Sequence, residues 1–193
     1  MGKGRLEAFS DGVIAIIITI MVLELKIPHG DTLEAIQPLF PVLISYILSF
    51  VNIGIYWNNH HHLFHAVHRV SGKILWANLH LLFWLSLMPF VTAWMGENHF
   101  TTLPVALMGV DLFMCGVAYF ILTKKIIHLH GKSSKVAELI GIDKKGAYSV
   151  LAYFTAIFTA YIHPYISLAI YALVAAIWFI PDRRIENKIG EIE

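Results

Sequence analysis

Residues 8–25 read Ala8-Phe9-Ser10-Asp11-Gly12-Val13-Ile14-Ala15-Ile16-Ile17-Ile18-Thr19-Ile20-Met21-Val22-Leu23-Glu24-Leu25. Between Gly12 and Leu23 the only polar side chain is that of Thr19. A helix crossing the hydrocarbon core needs roughly 20 predominantly apolar residues, with about 17 as the lower limit, and this run meets it. Five further apolar runs follow, at about 39–57 (with Pro38 and Pro41 at its start), 74–94, 103–122, 147–162 and 165–180, the last two separated at Pro164. The final pair is short, and one broken hairpin is the alternative to two spans. The sequence therefore predicts an all-α integral membrane protein: a single domain over residues 1–193, with six transmembrane helices.

Composition agrees. The chain has 193 residues, of which 58% are hydrophobic and only 14% charged. Its mean hydropathy is +0.68. Such a chain buries too much apolar surface to be disordered. The formal net charge of +1 is too small for a basic nucleic-acid binder. A lone cysteine, Cys115, cannot form a disulfide scaffold. The six runs leave no room for a separate soluble domain, and no catalytic motif is visible, so an enzyme is not expected.

Basic residues set the orientation. Lys3 and Arg5 precede the first run, and Arg69 and Lys73 lie between the second and third. Lys124, Lys125, Lys132, Lys135, Lys144 and Lys145 lie between the fourth and fifth, and Arg183, Arg184 and Lys188 follow the sixth. All the Lys and Arg except Lys26 thus fall on one side, which the positive-inside rule makes cytoplasmic, together with both termini. The basic start resembles a signal peptide. However, Phe9-Ser10-Asp11 interrupts its apolar run and no small-residue cleavage site closes it, so it reads as a retained helix.

Polar residues at membrane depth are costly and face protein or water. On this topology Arg5, Ser10 and Asp11 share a depth with Asn58, Asn59, His60, His61, His62, His65 and His68 past the second run. Trp76, Asn78 and His80 at the start of the third run lie there too. One reading is a hydrogen-bonded network fixing the first helix to the second and third; the other is a set of independent interfacial residues. The spacings of His61, His65 and His68 admit a metal or haem site. No Cys or Glu stands at a usual ligand spacing and HExxH is absent, so no metal or other cofactor is expected. Asp111, in the fourth run, is either a functional intramembrane carboxylate or a helix-to-helix hydrogen-bonding residue. Ile16, Ile20 and Leu23 fall at i, i+4, i+7 on one helix face, with Thr19 beside them. A helix apolar all round leaves ordinary packing and pore lining both open.

The segment from Arg5 through Phe9-Ser10-Asp11 to Ile16, followed by Thr19-Ile20-Met21-Val22-Leu23, resembles the R-x-x-x-F-S-D signature of the transmembrane protein 175 family of potassium channels. The likeness continues in Tyr56-Trp57-Asn58-Asn59-His60-His61-His62-Leu63-Phe64 and in Trp76-Ala77-Asn78-Leu79 through Pro89-Phe90. It covers roughly the first half of the chain. The resemblance implies a homotetramer of six-helix subunits in which the first helix of each lines a central pore. By position, Ile16 is the narrow constriction, Ile20 and Leu23 form further rings, and Thr19 is a polar layer. Arg5, Phe9, Ser10 and Asp11 hold the first helix, and Trp57, His60, His61, Trp76 and Asn78 are their expected partners. No TVGYG-type filter is present, so potassium ions, and other monovalent cations more weakly, would pass an apolar neck. The implied partners are those ions, the bilayer and three further copies of the chain, in a prokaryotic inner membrane. The competing readings are a proton-coupled secondary transporter, a His-rich metal or haem protein, and a non-conducting structural subunit.

Overall fold

The computed structural model describes residues 2–131, 134–140 and 143–179. Lys132, Arg183, Arg184, Lys188 and the last residue of the sixth run, Ile180, lie outside them. The described residues are helical, with no strand. In chain order the helices are α1 (Lys3–Leu23), α2 (Leu33–Ile36), α3 (Phe40–His65), α4 (Gly72–Glu97), α5 (Thr102–His130), α6 (Lys135–Ile140), α7 (Lys144–Thr159) and α8 (Pro164–Phe179). A 3-10 turn, Gln37–Leu39, joins α2 to α3. Four helical segments among the described residues are long and apolar enough to cross a membrane: Lys3–Leu23, Leu33–His65, Gly72–Glu97 and Thr102–His130. The short helices α7 and α8 hold 16 residues each. At about 1.5 Å per residue, each falls a little short of a 30 Å hydrocarbon core.

Several helices overrun the apolar stretches that mark them. The first begins at Lys3 rather than Ala8 because Lys, Arg, Leu, Glu and Ala are all good helix formers. Continuing to His65, α3 carries Asn58 to His65 on its last two turns rather than beyond its end. The fourth apolar run ends at Leu122, but α5 persists to His130, so Lys124 and Lys125 sit on helix rather than loop. No breaker intervenes until Gly131, whose φ of +92° ends the helix. Pro38 and Pro41 stand in the first turns of their helices and Pro164 opens α8, where a missing N–H matters least, whereas Pro89 lies inside α4.

A sharp turn links α4 to α5, with His99 and Phe100 both at positive φ. Phe100 is buried and meets the ring of Tyr165 at 6.1 Å. Asp143 caps α7 by accepting the Gly146 N–H at 2.8 Å. The α7–α8 hairpin is closed by Ser167 Oγ donating to the Ala156 carbonyl at 2.6 Å. The core follows α4 and α5: α4 packs on α1, α3 and α5, and α5 packs on α7 and α8. Close approach depends on small residues. A Cβ at Gly96 would lie 2.7 Å from the Cα of Val42, so α3 and α4 meet backbone to backbone there.

Candidate functional site

Helix α1 has two faces. Leu6, Ser10, Ile14, Ile17 and Met21 recur at helical spacing and are buried against α3 and α4. On the other face Ile16 is 58% exposed, Ile20 43% and Leu23 78%. Thr19 is exposed beside them and donates its hydroxyl to the Ile16 carbonyl at 2.9 Å. That leaves the lone pairs of Thr19 Oγ1 as acceptors on an otherwise apolar face. Between α1 and α4 runs a groove of about 660 Å³, walled by Ile16, Ile17 and Ile20 on one side and Pro89, Phe90 and Trp94 on the other. Glu24 and Glu97 also line it.

The buried face is tethered near its N-terminal end. Ser10 Oγ donates to the Leu6 carbonyl at 2.8 Å, and Asn78 Nδ2 donates to Ser10 Oγ at 2.9 Å. His60 Nε2 lies 2.8 Å from Asn78 Oδ1. The directions are linked: with its amide nitrogen serving Ser10, Asn78 can only accept from His60, so His60 carries its proton on Nε2. All three side chains are buried. A polar chain of this kind is stable in a low-dielectric interior because each member is satisfied. Nearer the surface, Trp57 Nε1 donates to Asp11 Oδ1 at 3.1 Å. The Trp57 indole stacks on His61, with centroids 6.3 Å apart.

Of the residues expected around the first helix, the structure thus joins Ser10 to Asn78 and His60, and Asp11 to Trp57 with His61 stacked behind. It does not join the others. The Arg5 side chain is exposed and forms no hydrogen bond or ion pair among the described residues. Phe9 is half-exposed, and Trp76 is 75% exposed, its indole N–H making no hydrogen bond among those residues.

His80 accepts the Trp84 indole N–H at 2.9 Å. His61 rings lie near those of His62 and His65. No group of three or more His, Cys, Asp or Glu among the described residues could hold a metal. Asp111 is 3% exposed, and neither carboxyl oxygen has a hydrogen-bond partner among those residues.

Two features escaped the sequence reading. Ser45, Ser49 and Asn52 form a buried polar stripe on α3. Thr92 Oγ1 donates to Ser49 Oγ at 2.6 Å and the Tyr153 hydroxyl to Asn52 Oδ1 at 3.3 Å. The i, i+4, i+7 spacing of small polar residues inside an apolar run was the available signal. The second is the bridge from Lys26 to Glu97 at 2.5 Å, which ties the segment after α1 to the end of α4. The hydrogen bond to Glu97 and its negative charge raise the Lys26 ammonium above the ordinary lysine range.

Fold and site together define an all-helical integral membrane protein whose first helix is anchored along one face and left bare along an apolar stripe on the other. The chain belongs to the TMEM175 family. The family model, described as endosomal/lysosomal potassium channel TMEM175, matches residues 5–89. A protein named a potassium channel from Chryseobacterium sp. (strain P1-3) is 56% identical over 191 residues, covering 99% of this chain and all of the relative. Another so named, from Streptomyces collinus, is 40% identical over 99 residues, about half of either chain (49% and 48%). The crystal structure of a lysosomal potassium-selective channel TMEM175 homolog from Chamaesiphon minutus superposes with a TM-score of 0.80. It covers 92% of this chain and 96% of its own at 26% identity.

Proposed function

We propose that the chain is the subunit of a potassium-permeable cation channel, with α1 lining the conduction path and Ile16 forming its narrowest, apolar ring. The observation that carries this reading is the division of α1: one face buried and hydrogen-bonded, the other an uncovered stripe of Ile16, Ile20 and Leu23. Four copies around an axis, with the stripes inward, would place those side chains in successive rings with Thr19 between them. The full-length likeness to a named potassium channel supports potassium as the ion.

Such a neck offers no oxygen ligands. Ions cross it partly hydrated, and its width and the cost of dehydration set the discrimination. Emptying the neck of water closes it. Selectivity for potassium over sodium is accordingly modest. In this reading Ser10, Asp11, Trp57, His60, His61 and Asn78 hold α1 in register. The six spans have both termini cytoplasmic in a prokaryotic inner membrane, with α7 and α8 as tilted short helices.

Purified protein in liposomes, given a potassium gradient and then the same sodium gradient, tests the reading. Flux of both ions with a moderate potassium preference is expected. No flux, stoichiometric coupling to protons, or discrimination as strict as a carbonyl filter's would each overturn it.

A further inference from the structure

Asp111 lies on α5, away from the α1 stripe, and the conduction reading gives it no part. Its carboxyl group is enclosed, and both oxygens lack hydrogen-bond partners among the described residues. The groups that face it can be named element by element. Tyr56 of α3 and Cys115, one turn further along α5, interact with it electrostatically. Tyr119 of α5 and Tyr153 of α7 in turn interact electrostatically with Tyr56. Tyr171 of α8 lies against Gly109, half a turn before Asp111. The buried face of α4 carries no titratable side chain. The buried residues of α5, α7 and α8 include no Lys, Arg or His. His60 on α3 is turned to Asn78.

Three of the phenols have already given their protons elsewhere. Tyr153 donates to Asn52, Tyr119 to the Asn59 carbonyl at 3.1 Å and Tyr171 to the Val105 carbonyl at 2.9 Å. An ionised carboxylate here would have neither countercharge nor any of these donors, which a membrane-embedded bundle tolerates poorly. A monovalent metal ion would need a shell of several oxygens, and most of those nearby are committed. A proton needs only the carboxylate itself.

We infer that Asp111 is a proton-binding site inside the subunit, enclosed on α5 beside Tyr56 of α3, and that its carboxyl carries the proton in the packed bundle. The acid form has the size and neutrality of asparagine, so Asp111→Asn mimics the occupied site. Ionisation would place a bare charge beside Tyr56 and Cys115 and loosen the packing of α5 on α7 and α8.

The test is infrared spectroscopy of the full-length protein carrying aspartate labelled with carbon-13 at the side-chain carboxyl. Asp111 is the only aspartate buried among the described residues. At neutral pH the wild type should show the carbonyl stretch of one protonated carboxylic acid, absent from D111N. The melting temperature of D111N should exceed that of the wild type by a margin that widens from about pH 5, above the ordinary carboxylate range, to about pH 9. Carboxylate bands alone in the labelled wild type would overturn the proposal. So would a D111N variant less stable than wild type across that range. If D111N does not accumulate, the labelled wild-type spectrum decides by itself.

Discussion

Asn78 of α4 donates its amide N–H to Ser10 of α1 across 2.9 Å, in a position closed to solvent. The pair joins the N-terminal third of the first helix to the centre of the bundle. Its partner His60 belongs to a third helix, so one amide side chain fixes α1, α3 and α4 relative to one another.

Removing Asn78 strands the His60 N–H and takes one of two bonds from Ser10, which keeps its bond to the Leu6 carbonyl, whereas removing Ser10 strands only the Asn78 amide N–H. Asn78→Ala should lower stability by about 2–3 kcal/mol and Ser10→Ala by about 1 kcal/mol, since a buried group left unpaired costs about 1–3 kcal/mol. Thermal melts of the detergent-purified variants check the order. Equal effects would mean that His60 finds another partner.

Trp57 and Arg5 separate contact from likeness. Trp57→Phe keeps the ring but removes the donor to Asp11 Oδ1, and should cost about 1 kcal/mol. Arg5→Ala should shift the stability of the subunit by no more than about 0.5 kcal/mol, as for a surface change. A loss for Arg5→Ala as large as that for Trp57→Phe would place a partner for Arg5 in a neighbouring subunit.

Gly96→Leu should be far worse than either. Its Cβ alone would meet the Val42 backbone, and overpacking costs about 1–3 kcal/mol before the rest of the side chain is counted. Loss of the monodisperse species on size-exclusion chromatography is the expected result, with Gly96→Ala intermediate.

The Lys26–Glu97 bridge should hold residues 24–33 against α4. Because Glu97 raises the Lys26 ammonium, the bridge persists through neutral pH and on the alkaline side is lost only as pH rises past the ordinary lysine range. Amide exchange at those residues, corrected for its intrinsic pH dependence, should speed up in Lys26→Met at neutral pH. Unchanged exchange would mean the bridge restrains nothing.

The apolar runs made the long helices legible, because roughly 20 apolar residues have few other uses. Their ends were not legible: hydropathy stops at Leu122 while backbone hydrogen bonding continues to His130. Ser10, Asp11, Asn78 and His60 could be named from shared depth alone. Which of them touch was not legible, since depth gives a height in the membrane and not a direction around a helix. Trp76 shows the difference: it stands two residues before Asn78, yet points outward. The stripe of Ile16, Ile20 and Leu23 was visible as a spacing in a helix apolar on every side. Only the burial of Ile14, Ile17 and Met21 distinguishes the covered face from the bare one.

The most direct test of the account changes the size and polarity of Ile16 and nothing else. Ile16→Asn replaces an apolar ring with amide oxygens and nitrogens, which hold water in the neck and lower the cost of dehydration. In planar bilayers the single-channel conductance of Ile16→Asn should rise and its preference for potassium over sodium should fall. Conductance and selectivity equal to those of the wild type would show that Ile16 is not the constriction.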